Sequence, residues 1–97
     1  MQNFLFMRII GEIAHQRMKI SVFRNDNRIS IKFENAQYEQ IFKMKEEITS
    51  VEEAQRFADV ALMEAVENNF ITMHQNKIQA MSRFAPIQDD DDFDEII

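Results

Sequence analysis

The chain has no cysteine, and only one glycine and one proline in its 97 residues. Without cysteine there are no disulfides and no thiolate chemistry, which fits a reducing, cytoplasmic setting. A lone glycine, Gly11, excludes glycine-rich phosphate loops and dinucleotide fingerprints by count. Long apolar runs are also missing. Residues 4–10 come nearest, but Arg8 interrupts them and no cleavable signal pattern surrounds them, so no membrane association is expected. Histidine is scarce: His15 and His74 fall in separate segments, without the spacing of paired metal ligands. There is no nucleophile motif. Glu46-Glu47 reads as a loop, and Glu52-Glu53 as a charge cluster favourable at a helix N-terminus, rather than as acid–base pairs. Neither catalysis nor a cofactor or metal is expected.

What is present is enough apolar material for a core, 45% of the residues. That amount supports one small domain, placed at residues 1–86, with an acidic tail over 87–97 read as disordered. The net charge of −6 conceals a gradient. Residues 1–45 hold eight cations and four acids, a balance of +4; residues 46–88 hold three cations and seven acids, −4; residues 89–97 add six acids. A basic front with an acidic end suggests that the front meets a polyanion, or that the tail folds back on it.

The basic front alternates with period two. Met18, Ile20 and Val22 point one way and Lys19, Ser21 and Phe23 the other; Ile29, Ile31 and Phe33 alternate with Arg28, Ser30 and Lys32. A tight turn at Asn25-Asp26 pairs Val22 with Ile29, Ile20 with Ile31 and Met18 with Phe33. This register sets Lys19 opposite Lys32, a like-charge pair that hints at a bound anion. An earlier strand over 6–14, turning at His15-Gln16, pairs Ile13 with Met18, Gly11 with Ile20 and Ile9 with Val22, and brings Arg8 opposite Phe23. Residues 37–45 suit a fourth strand, although Tyr38, Ile41, Phe42 and Lys45 also share one side of a helix.

The second half reads as helix. Ser50-x-x-Glu53 is a capping box. After it, Val51, Ala54, Phe57, Ala58, Ala61, Leu62 and Ala65 share a face that would cover the sheet. Asn68-Asn69 weakens the pattern. Residues 70–84 then continue as helix or form a hairpin around Gln75-Asn76, helix being favoured, and Pro86 closes the body. The expected fold class is therefore α+β: an antiparallel meander of three or four strands packed on a long amphipathic helix.

The final residues, Asp89, Asp90, Asp91, Asp92, Phe93, Asp94, Glu95, Ile96 and Ile97, set six acids around one aromatic and end on two isoleucines. This tip resembles the C-terminal tails of bacterial and phage single-stranded DNA-binding proteins, which are aspartate runs closed by hydrophobic residues. The resemblance covers only 89–97, and the end is Ile-Ile instead of the commoner Pro-Phe. It implies that the tip recruits replication or recombination proteins and competes with DNA for the protein's own binding face. The element order also resembles that of the Whirly and transcriptional-coactivator single-stranded DNA binders. On the residues themselves, cations around an aromatic on one sheet face suit single-stranded nucleic acid, phosphates taking the charge and a base stacking on the ring. The candidate contacts are Arg8, Arg17, Lys19, Phe23, Arg28, Lys32, Lys43 and Lys45, in a protein acting as a homodimer or higher oligomer. The competing expectation is a small acidic interaction factor, a phage-encoded inhibitor or DNA mimic, whose active surface would be helix acids such as Glu52, Asp59 and Glu67.

Overall fold

A computed structural model describes residues 7–85. Four strands, β1 (Met7–Ile13), β2 (Lys19–Asn25), β3 (Arg28–Glu34) and β4 (Glu39–Lys43), form an antiparallel meander in the order β1-β2-β3-β4. Two helices follow, α1 (Val51–Phe57) and the 25-residue α2 (Val60–Phe84). The class is α+β, a four-stranded meander with a long helix, as the alternation and the capping box indicate. No helix among the described residues is long and apolar enough to cross a membrane.

Strands β2 and β3 carry the expected parity but not the expected register. The β2–β3 turn falls at Asp26-Asn27, with Asp26 in the left-handed region at φ 61°. Val22 therefore faces Ile31, and Ile20 faces Phe33. A shift of two residues leaves every side chain on its face, so apolar alternation alone cannot choose between the registers. Polar pairing separates them. Lys19 faces Glu34 and Ser21 faces Lys32, so the like-charge pair expected between Lys19 and Lys32 does not form.

In β1 the inner pairs are Ile13 with Ile20, Glu12 with Ser21 and Gly11 with Val22; a bulge then intervenes, and Ile9 faces Phe23 while Arg8 faces Arg24. Two successive isoleucines cannot both face the core of a regular strand. The bulge resolves the Ile9-Ile10 doublet: Ile10 packs against the core and Ile9 is exposed on the opposite face. The β1–β2 connection is held by His15, whose Nδ1 accepts the N–H groups of Arg17 and Met18 at 3.0 and 3.1 Å. Asn35 Oδ1 plays the same part before β4, accepting from Gln37 and Tyr38 at 2.9 Å each.

The core lies between one sheet face and the helices. Ile20, Val22, Ile29, Ile31 and Phe33 are fully enclosed with Ala54, Ala58, Val66 and Phe70. The expected single helical face breaks at Ala58, whose ψ of 64° leaves the helix. Asp59 then caps a new helix by accepting the Leu62 N–H at 2.9 Å. The restart changes which residues meet the sheet: Ala61 and Ala65 are exposed, and Val66 and Phe70 are buried instead. Asn68-Asn69 does not interrupt α2. Gly11 fits the one close approach of α1 to the sheet, since a Cβ there would stand 2.8 Å from Val51 Cγ1.

Candidate nucleic-acid interface

Neither helix packs on the second face of the sheet. From the turn end inwards its cross-strand rows are Met7–Asn25–Arg28, Ile9–Phe23–Ser30–Lys43, Glu12–Ser21–Lys32–Ile41 and Lys19–Glu34–Glu39. The rows divide by chemistry. The first two carry Arg28, Lys43 and the partly buried Phe23 beside exposed Met7 and Ile9, with Ile41 at the near end of the third. The last two mix both signs, with Glu34 between Lys19 and Glu39, and Lys32 Nζ lies 3.1 Å from Glu34 and 3.7 Å from Glu39. Lys45, just beyond β4, joins Arg28, Lys43, Phe23, Ile9 and Ile41 around a shallow depression of about 940 Å³.

Phe23 holds its place through its neighbours. Ile9 faces it from β1, Ser30 from β3, and Lys32 Nζ stands 5.3 Å from the ring centroid. That distance is within reach of a cation–π contact, so the ring already tolerates a charged group over it. Beside it, Ser21 is enclosed at 1% exposure and its Oγ has no hydrogen-bond partner among the described residues. Among the described residues Lys19, Arg28, Lys43 and Lys45 form no ion pair with a carboxylate, but Lys19 faces Glu34 across the sheet, which leaves Arg28, Lys43 and Lys45 better placed to meet an external anion.

Of the eight expected contacts, six lie on or beside this face: Lys19, Phe23, Arg28, Lys32, Lys43 and Lys45. Two do not. Arg8 faces Arg24, which shares the parity of Ile20 and Val22, so the bulge turns Arg8 to the helix side. Arg17 binds Glu67 of α2 through two hydrogen bonds, Nε to Oε2 at 2.6 Å and an Nη to Oε1 at 3.0 Å. This pairing raises the Arg17 pKa and lowers that of Glu67, through the side-chain hydrogen bond first and charge attraction second on the arginine. Residues the sequence reading left out are Met7, Ile9 and Ile41. The doublet Ile9-Ile10 before Gly11 was the available signal for the first two, because a doublet next to glycine marks a bulge.

A second groove, about 880 Å³, lies on the helix side between α2 and the far end of the sheet. Arg17–Glu67 lines it, together with Tyr38, whose hydroxyl lies 3.0 Å from His74 Nδ1. The tail residues 89–97 fall outside the described residues. Comparison of the chain with protein-family models, curated proteins and solved structures finds no match.

Proposed function

We propose that this protein binds single-stranded DNA, without sequence specificity, on the uncovered sheet face. One observation carries the reading. Phe23 sits among exposed apolar side chains, bordered by Arg28, Lys43 and Lys45, which form no ion pair among the described residues, on a face that neither helix covers. An aromatic platform beside a cationic border suits a stacked base and its phosphates whatever the base. In this reading Phe23 stacks, Ile9 and Ile41 flank the base, and Arg28, Lys43 and Lys45 take phosphates. Lys19 and Lys32, set among Glu34 and Glu39, contribute less. The acidic tail recruits replication or recombination proteins and competes with DNA for the same face, in keeping with its resemblance to the tails of single-stranded DNA-binding proteins.

The DNA-mimic alternative has weaker support. Of its three acids, Asp59 is occupied as a helix cap and Glu67 is neutralised by Arg17.

Fluorescence anisotropy of a labelled oligo-dT tests the proposal with the full chain and with a chain ending at residue 88. Phe23→Ala is expected to weaken binding roughly five- to a hundredfold, the range of one lost stacking contact. Arg28→Glu with Lys43→Glu is expected to abolish it. Charge reversal is better placed there than at Lys19 or Lys32, where it would add a carboxylate beside Glu34 and disturb folding. Tighter binding by the shortened chain supports competition by the tail. Absence of binding by both chains at low salt would rule the reading out.

A further inference from the structure

The apolar stripe that seats α2 on the sheet runs beyond the sheet. A seven-residue strand spans about 23 Å, whereas the 25 residues of α2 span about 37 Å. Val66 and Phe70 are buried, and the last contacts with the sheet end are His74, bonded to Tyr38, and Lys77, whose Nζ lies 5.9 Å from the Tyr38 ring centroid. Further along, Ile78 is 54%, Met81 51% and Phe84 79% exposed, and Ile71, one helical repeat before Ile78, is 56% exposed. Ile71, His74, Ile78 and Met81 follow a 3-4-3 spacing, which draws a seam along one side of a helix.

We propose that this half of α2 pairs antiparallel with the same half of a second copy of the chain. Ile71, Ile78 and Met81 form the seam and Phe84 its flank. Two observations favour that occupant. First, residues 68–85 contain no acid and only two cations, Lys77 and Arg83, in a chain with 17 acids and a net charge of −6. Copies of such a chain repel one another over most of their surface, and loss of charge marks the centre of an interface. The acid that borders the stretch, Glu67, is already neutralised by Arg17. Second, the seam is self-complementary. With the two-fold axis beside Asn76, Ile71 of one copy opposes Met81 of the other, and His74 opposes Ile78, so a single patch serves both copies.

Sedimentation equilibrium of the full chain from micromolar to submillimolar concentration tests the proposal. A monomer–dimer equilibrium is expected. Ile78→Glu with Met81→Glu is expected to leave a monomer with unchanged circular dichroism and an unchanged melting temperature at low concentration, because both side chains are exposed in the single copy. The absence of native cysteine allows the direction to be read directly. With a short bis-maleimide cross-linker, which joins two thiols as thioethers, Gln75→Cys, next to the two-fold axis, is expected to link two copies, whereas Ser82→Cys is not. Equal linkage at both positions would overturn the antiparallel arrangement. A monomer throughout, or a dimer indifferent to the double glutamate, would overturn the interface itself. So would a full-length monomer that dimerises only when residues 88–97 are removed, because the chain's own tail would then be the occupant.

Discussion

At the scale of single residues, Gly11 and Phe23 are held by opposite circumstances. Gly11 is set by an approach: Val51 of α1 occupies the space a Cβ would need. Gly11→Ala is expected to destabilise the fold by about 1–3 kcal/mol, the usual result of overfilling a packed contact. Val51→Ala in the same chain should recover part of the loss, and chemical denaturation of the two variants measures both. Phe23 was legible in the sequence because its parity sets it among polar neighbours. Ile9 was not, because a strand read with strict alternation sends it inward. Only the extra residue of the bulge brings it beside Phe23. The same bulge removes Arg8 from the candidate site.

At the scale of elements, the caps decide where the helices lie. Ser50 Oγ accepts the Glu53 N–H at 3.1 Å, and Glu53 Oε1 reaches back to the Thr49 N–H at 2.8 Å, one residue further than an ordinary capping box. That motif is readable in the sequence. The second cap, Asp59, lacks an acid three residues on and falls within an apparently continuous apolar face, which hides the break at Ala58. Ser50→Ala and Asp59→Ala are each expected to lower stability by about 1 kcal/mol. Loss at Asp59 should also let α1 and α2 fuse, visible as increased helical circular dichroism.

Three glutamates respond to acid in the same sense. Glu53 is lowered chiefly by the Thr49 N–H, Glu67 by the Arg17 hydrogen bond, and Glu47 by backbone N–H groups beginning with its own. Each folded pKa lies below the ordinary value of 4.5, so the unfolded chain takes up protons first as pH falls. Their contribution is therefore complete above the ordinary value and is lost as pH drops through the folded values. Melting temperature should be level above about pH 5 and decline below it. Glu53→Gln should flatten part of the decline in a series of thermal melts.

At the scale of the whole molecule, charge is sorted along the sheet as well as along the chain. The sequence made the basic front legible, because the +4 balance of residues 1–45 needs only counting. It did not show that Lys19 and Lys32 are matched by Glu34 and Glu39, since that depends on a two-residue register that parity leaves open. Three cations, Arg28, Lys43 and Lys45, in place of the seven expected set the salt response. For single strands the slope of log K against log salt is about −0.7 per phosphate neutralised, so one copy should show roughly −2 and a dimer engaging both faces about twice that. Lys43→Gln should reduce the magnitude by about 0.7 for each engaged copy, read from binding isotherms at several salt concentrations. The strand order also leaves β1 and β4 with an outer edge that no described strand pairs. Such edges invite lateral growth by strand addition. β4 is only five residues long and bears Lys43, and β1 is kinked at Ile9/Gly11, so neither offers a straight template to another sheet. The irregularity that turns Ile9 outward thus also protects an exposed, isoleucine-rich edge from polymerising.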